Sequence, residues 1–229
     1  MLDVRNLNVA YGQSQVLHGV DFSVTPGEIV AVVGRNGMGK STLMKSLIGV
    51  IPTRSGQVLI DGGDVTALPS HSRVARGLAY VPQGRQIFGT MSVRENIETG
   101  LVVTGKSVIP EEIYTLFPVL REFDRRRGGN LSGGQQQQLA IARALASDPK
   151  ILLLDEPTEG IQPSVIKDIA KVLKEIRALR NLCIVVCEQV LSFILEVADR
   201  VLVLENGRVV HSDTRENINE AKIAQFLAV

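Results

Sequence analysis

The feature that most constrains this chain is a glycine-rich stretch, residues 34–42, which fits the pattern Gly-x-x-x-x-Gly-Lys-Ser/Thr. A short apolar run, residues 29–33, comes directly before it, and apolar residues at helical spacing follow it. This order predicts a buried strand, a tight loop and a helix, and therefore an α/β core. The alternative is a glycine-rich turn that precedes a helix by coincidence. The predicted loop residues are Gly34, Arg35, Asn36, Gly37, Met38, Gly39, Lys40, Ser41 and Thr42.

Such a loop binds phosphate groups. Glycines let the backbone curl so that successive N–H groups point at phosphate oxygens, and the helix that begins here adds its positive dipole end. Lys40 is predicted to reach the β- and γ-phosphates, and the Ser41 hydroxyl is predicted to bind Mg²⁺.

Composition narrows the possible partners. The formal net charge is +1, aromatic residues make up 4% of the chain and Trp is absent, which argues against a nucleic-acid partner.

No apolar run approaches the roughly 18–20 residues needed to span a bilayer, and the N-terminus lacks the features of a signal peptide. We therefore expect a cytosolic protein, or one held at the cytosolic side of a membrane by partners.

The patterns along the chain predict one domain over residues 1–229. Residues 2–24 alternate as antiparallel strands, with Tyr11 at a turn where its ring could either stack on a base or pack internally. Residues 52–56 are predicted to interrupt the chain before a short strand at 58–60. Helical spacing replaces strand patterns from residue 84 to 142, which predicts a helical subdomain inserted between core segments 1–83 and 143–229.

Two further local patterns leave alternatives open. Cys183 and Cys187 could be metal ligands, but without nearby His or Cys they are better explained as buried strand residues. Residues 125–127 are three successive arginines, which favour a solvated loop over a docking patch.

A second motif follows the apolar strand at residues 151–154. Asp155 and Glu156 come at its carboxyl end, where ligands bind in open α/β sheets, so we expect both beside the phosphate loop. Asp155 is suited to Mg²⁺ and Glu156 to the water that attacks the γ-phosphate. The alternative is a capping pair at the start of a loop.

A third motif gives the chain a family. Residues 131–135, Leu-Ser-Gly-Gly-Gln, resemble the signature of ATP-binding-cassette (ABC) ATPases, and the phosphate loop and the Asp-Glu pair match the same family. The resemblance implies a phosphate-loop NTPase core with an N-terminal antiparallel β subdomain and an inserted helical subdomain. In that family two subunits pair head to tail, and each ATP lies between one phosphate loop and the other subunit's signature. It therefore implies ATP contacts from Ser132, Gly133, Gly134 and Gln135.

The resemblance also assigns single positions and partners. Tyr11 is similar to the adenine-stacking aromatic residue, and Gln83 to the glutamine that contacts Mg²⁺ and the attacking water. The helical subdomain would dock on a membrane permease. The implied partners are a second ATPase subunit in a homo- or heterodimer, permease subunits and, indirectly, a periplasmic binding protein. The implied location is peripheral, on the cytoplasmic side of the inner membrane.

Two positions depart from the family pattern. Gln189 stands where the family usually has a His that senses the γ-phosphate, and Gln162 stands where Asp is usual. A glutamine amide can donate a hydrogen bond but cannot become a cation, so we expect ATP binding to be retained better than turnover.

These departures resemble one of the two ATPase subunits of branched-chain amino acid importers, and residues 157–164 resemble the branch that imports urea. The alternatives are a soluble ABC ATPase of DNA repair or translation, and a nucleotide-gated binding module without useful turnover. A phosphate-loop kinase would leave the signature unexplained.

Overall fold

The computed structural model describes residues 2–227. Its strands are β1 (Leu2–Tyr11), β2 (Ser14–Val24), β3 (Ile29–Val33), β4 (Thr53–Ile60), β5 (Gly63–Asp64), β6 (Leu78–Val81), β7 (Ile151–Asp155), β8 (Cys183–Glu188), β9 (Arg200–Glu205) and β10 (Arg208–Thr214). Its helices are α1 (Lys40–Leu47), α2 (Ser70–Ala75), α3 (Val93–Leu101), α4 (Glu111–Leu116), α5 (Pro118–Glu122), α6 (Gly133–Ala146), α7 (Pro163–Arg180), α8 (Leu191–Val197) and α9 (Glu220–Leu227). Short 3₁₀ turns cover Gly128–Asn130 and Arg215–Asn217.

The strands form two sheets. A six-stranded sheet has the order β10-β9-β3-β8-β7-β6, in which all neighbours are parallel except the β9–β10 hairpin. A four-stranded antiparallel sheet has the order β2-β1-β4-β5. The predicted antiparallel strands over residues 2–24 correspond to β1 and β2.

The central strand β3 divides the core in two, because successive side chains of a strand point to opposite faces. Ile29, Ala31 and Val33 pack with residues of α3, α6 and α7. Val30 and Val32 pack with α1 and the antiparallel sheet. Strands β3, β7 and β8 are buried along their whole length, as expected for parallel strands covered on both faces. Cys183 and Cys187 lie in β8 as buried free thiols.

One predicted break is wrong. Residues 53–56 belong to β4, which pairs with β1 from Thr53 onward. Gly56 remains in the strand with φ of 94°, and a Cβ atom there would lie 2.2 Å from the Asn6 carbonyl oxygen. The glycine therefore permits a close approach of two strands at an irregularity and does not end the strand.

Between residues 84 and 142 the described chain contains α3, α4, α5, a 3₁₀ turn and most of α6, and no named strand. Helix α6 continues to Ala146, past the predicted end of this segment. The subdomain boundaries remain a prediction.

The sheet register brings four strand ends together. Val33 is level with Glu188, Asp155 with Cys187, and Val81 with Leu154. The segments that follow β3, β6, β7 and β8 therefore all leave the sheet at the same edge, and these segments carry the predicted site residues.

Candidate active site

The phosphate loop joins β3 to α1 through backbone conformations that favour glycine. Gly37 has φ of 81° and Gly39, the residue before α1, has φ of 103°. A Cβ atom on Gly39 would also lie 2.8 Å from the Leu17 side chain. Among the side chains that the structure describes, none caps the start of α1, so its first N–H groups are available to an anion.

Gly34 is needed for a different reason. A Cβ atom on Gly34 would lie 2.3 Å from the Leu204 carbonyl oxygen, so only glycine lets the loop lie against β9.

Lys40 is almost completely buried at the start of α1. Its ammonium group donates hydrogen bonds to the carbonyl oxygens of Gly34 (2.7 Å) and Arg35 (3.1 Å). The same group lies 3.4 Å from the Glu156 carboxylate. The positive charge is thus held between the phosphate loop and the carboxyl end of β7.

Asp155 is 1% exposed and has a hydroxyl partner on each oxygen. The Ser41 hydroxyl donates to Oδ1 at 3.1 Å and the Tyr80 hydroxyl donates to Oδ2 at 3.2 Å. Burial raises the pKa of the Asp155 carboxyl above its ordinary value, although both hydrogen bonds act in the opposite direction. Burial and the Asp155 carboxylate also raise the pKa of Tyr80, so its phenol stays protonated.

Glu156 is surrounded by donors. Its backbone is left-handed, with φ of 48°. Gln83 Nε2 donates to Oε2 at 3.1 Å, and Gln189 Nε2 donates to Oε1 at 2.8 Å. With the Lys40 contact, these bonds bring together residues from the ends of four strands.

Gln189 also bridges to the phosphate loop, because its Nε2 lies 2.8 Å from Asn36 Oδ1. The neighbouring Glu188 is buried and fixes the end of β8. Its carboxylate accepts hydrogen bonds from the backbone N–H groups of Gln189 (2.6 Å), Val190 (3.0 Å) and Thr158 (3.0 Å), and from the Thr158 hydroxyl. This network ties the Gln189 segment to the segment after Glu156.

A cavity of about 250 Å³ lies at the phosphate loop. It is bounded by Val16, Asn36, Gly37, Gly39, Lys40, Ser41, Thr42, Gln83 and Glu156. The structure thus brings most of the predicted phosphate-loop residues together with Gln83 and Glu156.

Comparison with known proteins assigns the family. The sequence model of the ABC transporter family matches residues 17–159, and a branched-chain amino acid transport ATP-binding protein, BraG of Pseudomonas aeruginosa, is 41% identical over 93% of both chains.

The chain belongs to the ABC transporter ATPase family.

Other relatives and solved structures agree. LivF of Archaeoglobus fulgidus, named a probable branched-chain amino acid transport ATP-binding protein, is 38% identical over 96% of this chain and 94% of its own. A lipopolysaccharide export ATP-binding protein, LptB of Haemophilus influenzae, is less similar, at 33% identity over 95% of this chain and 92% of its own.

Among solved structures, an ABC transporter cassette in its ADP conformation has 27% identity and a TM-score of 0.83, covering 100% of this chain and 94% of its own. A dimeric cassette bound to ADP and phosphate has 25% identity and a TM-score of 0.85, covering 95% and 100%. The ABC ATPase fold and the assignment as an ATP-hydrolysing cassette are confirmed. Among residues 2–227, no helix combines the length and apolar character of a membrane span.

Tyr11 lies outside the cassette's cavity. The residue is 51% exposed at the end of β1, and no described hydrogen bond or ring contact joins it to the phosphate loop. Val16, on the next strand, lines the cavity instead, and the sequence alone gave no signal for it. Adenine stacking by Tyr11 remains a prediction.

The signature begins α6. The Ser132 hydroxyl accepts a hydrogen bond from the Gln135 N–H at 3.4 Å, and the Gln135 side chain accepts one from the Ser132 N–H at 3.0 Å. This capping box occupies both side chains locally. Gly134 is buried, and a Cβ atom there would lie 2.8 Å from Val165, so packing on α7 also requires glycine. Within residues 2–227, no hydrogen bond joins the signature to the phosphate loop of the same chain.

Besides Val16, sequence reasoning missed Tyr80 and Glu188 at this site. Tyr80 is the one residue with a polar tip in the apolar strand β6, which is a weak signal. Glu188 could not be recognised from a local pattern, since its partner Thr158 is distant in sequence.

Proposed function

We propose that this chain is the ATPase subunit that energises a membrane ABC importer. The observation that carries the proposal is the Glu156 carboxylate, which meets Lys40, Gln83 and Gln189 at the rim of the phosphate-loop cavity. A carboxylate at this position can orient and polarise a water molecule against the γ-phosphate. Lys40 and the N–H groups at the start of α1 would stabilise the negative charge that develops on the phosphoryl oxygens.

The proposed Mg²⁺ site consists of Ser41, Asp155 and Gln83. The Ser41 hydroxyl and the Asp155 carboxylate already lie together, and both are the hard oxygen ligands that Mg²⁺ prefers. Burial raises the pKa of the Asp155 carboxyl, and a bound cation would favour its ionised form. Within the described residues there is no cluster of three or more His, Cys, Asp or Glu that could cage a metal, which fits an ion held mainly by substrate phosphates. Bound Mg²⁺ would neutralise phosphate charge.

The proposed working unit is a head-to-tail dimer, homo- or heteromeric. The signature of one subunit would complete the ATP site on the phosphate loop of the other, through Ser132, Gly133, Gly134 and Gln135. A dimeric structure among the similar cassettes supports this arrangement. ATP binding would close the dimer and hydrolysis would reopen it.

The proposed rate of ATP hydrolysis depends on Gln189. Its amide already donates to Glu156 and Asn36, but it cannot become a cation. We therefore propose that the isolated chain binds ATP well and hydrolyses it slowly.

The proposed cargo is urea, because residues 157–164 resemble the urea branch of the importer family. Branched-chain amino acids are a second candidate, and the names of BraG and LivF support them at least as well. The proposed location is the cytoplasmic face of the membrane, through contact with permease subunits.

Reconstitution tests the proposal. Phosphate release is measured for the purified chain alone and with its sister ATPase and permeases in vesicles, with loaded binding protein added on the other side. We expect slow release alone and stimulated release in the complete system, with Lys40→Ala inactive in both. Uptake of labelled urea and labelled leucine into these vesicles distinguishes the two cargoes. Release that the permeases do not stimulate would contradict the importer function and favour a nucleotide-gated binding module.

A further inference from the structure

The loop between β6 and α3 contains an unusual run of left-handed residues. Gly84, Arg85 and Gln86 have φ of 76°, 68° and 45° in succession. Two neighbouring non-glycine residues in this region cost conformational free energy, and such a segment persists only where surrounding contacts hold it. The loop carries Gln83, which donates to Glu156.

Arg85 makes the contacts that hold this loop from one side. Its Nη2 donates to the carbonyl oxygens of Glu159 (3.1 Å) and Gly160 (3.4 Å), in the segment that follows Glu156. Its guanidinium group also packs against the signature, because a Cβ atom on Gly133 would lie 3.2 Å from both Nη1 and Nη2. One half-buried side chain therefore touches two motif segments from the loop of a third.

Helix α6 holds the loop from the other side. Arg143 Nη2 donates to the Gln86 carbonyl oxygen at 3.0 Å, and the Arg143 guanidinium lies over the Phe88 ring at 5.3 Å. The start and the last turn of α6 are thus both linked to the loop that carries Gln83. If Gln83 moved, the contacts between its loop and the signature would have to change as well.

We propose that Arg85 is a positioning residue, which holds the signature at the start of α6 in register with the segment after Glu156. This inference rests on the ATPase function proposed above. Arg85 contacts backbone carbonyls and a glycine and lies outside the lining of the phosphate cavity. The planar, multi-donor guanidinium suits this bridge, whereas a lysine ammonium is a single point charge that cannot pack flat against Gly133.

The consequence concerns two glycines. Gly133 leaves room for the guanidinium group of Arg85 in the same chain. It would also allow the signature to approach an ATP molecule bound to a second subunit. Gly160, with φ of 64°, presents its carbonyl oxygen to the same group. Loss of Arg85 should leave nucleotide binding to the chain's own phosphate loop intact and misplace the signature that a second subunit uses.

The test compares Arg85→Ala and Arg85→Lys with a matched control, Arg125→Ala. Arg125 is exposed and has no hydrogen bond or ion pair among the described residues. We expect phosphate release to fall about tenfold or more in Arg85→Ala, because small misplacements in an active site are costly, and Arg85→Lys to recover less than half of the loss. Affinity for a fluorescent ATP analogue should stay within about twofold. The thermal midpoint should stay within about 3 °C of the parent's.

Three results would overturn the inference. Turnover of Arg85→Ala within about twofold of the parent's would mean that the bridge is not used, while the ATPase function would stand. Parallel losses of turnover, ATP affinity and thermal midpoint would indicate a purely structural role. A parent without turnover would contradict the proposed function instead. In that case, the role of Arg85 is tested by comparing the ATP-dependent dimerisation of Glu156→Gln with that of the double variant Glu156→Gln, Arg85→Ala. If the two variants dimerise equally, the positioning role of Arg85 is rejected.

Discussion

Asp155 illustrates at the residue scale how a site can oppose stability. Its carboxylate is buried, and its pKa in the folded chain is raised by that burial. Where the folded pKa of an acid exceeds the unfolded one, the folded state binds more protons in the window between them. Stability from this group is then lost as pH rises through that window, so ionised Asp155 destabilises the fold at neutral pH.

We predict that Asp155→Asn raises the unfolding free energy at pH 8 and abolishes phosphate release. The gain should shrink as pH falls from the raised pKa of folded Asp155 towards about 4, the ordinary pKa of Asp. Below that pH it should be absent, because the carboxyl group is then neutral in both the folded and the unfolded chain. Guanidinium chloride denaturation at pH 8 and pH 4 measures it. Asp168→Asn, an exposed acid on α7, is the control and should change little. Equal stability of Asp155→Asn and the parent at pH 8 would contradict the burial argument.

Gln189→His gives a second prediction at this scale. The imidazole should restore a group that can donate from either nitrogen and carry charge, so turnover should rise by about tenfold with ATP affinity unchanged. The pH profile should gain a dependence near 6.5, which the parent lacks at this position. Unchanged or lower turnover with intact binding would show that Gln189 does not limit the rate.

Individual residues differ in how far the sequence predicts them. Lys40, Ser41, Asp155 and Glu156 follow from local motifs, and the structure brings them together. Tyr80 could not be predicted, because its bond to Asp155 depends on the register of β6 with β7, which no local pattern encodes.

Helix α7 shows at the element scale what an unusual residue does. Gln162 precedes the helix in the cap position, but its side chain makes no capping hydrogen bond. Pro163 occupies the first turn, where a missing N–H is harmless. The helix therefore starts without the side-chain acceptor that Asp would provide.

We predict that Gln162→Asp stabilises the protein by about 0.5–1 kcal/mol, by accepting a hydrogen bond from the first turn. Gln162→Ala is the matched control and should be nearly neutral, since the glutamine caps nothing. Denaturant midpoints of both variants measure the effect. A gain in Gln162→Ala as large as that in Gln162→Asp would mean that removal of glutamine, and not capping, is responsible.

Element boundaries were harder to predict than element types. At Asn206 and Gly207 a glycine does mark a reversal of the chain, because both residues adopt positive φ, as a two-residue turn requires. The same argument failed at Gly56, where the residue serves a close approach between strands. A glycine's role depends on its neighbour in space, and that neighbour is distant in sequence.

At the scale of the whole molecule, the two half-sites that we propose, the phosphate loop and the signature, are kept apart within one chain. The phosphate loop follows β3, whereas the signature starts α6 beside α7 and Arg85. The ABC fold class was predictable because its motifs are local and ordered along the chain. The separation of the half-sites was only implied by resemblance.

The final prediction follows from this separation. Glu156→Gln removes the charge that would activate water but keeps a planar group that Gln83 and Gln189 can contact, so ATP should bind and remain unhydrolysed. Each ATP molecule, bound to the phosphate loop of one subunit, would then also contact the signature of the other subunit. In size-exclusion chromatography the variant should therefore elute as a dimer in MgATP and as a monomer in MgADP. Glu156→Gln combined with Lys40→Ala should remain monomeric, because the phosphates are no longer held. If Glu156→Gln is monomeric in MgATP where the parent dimerises, the negative charge of Glu156 contributes to closure, and the composite site is not held together by ATP alone.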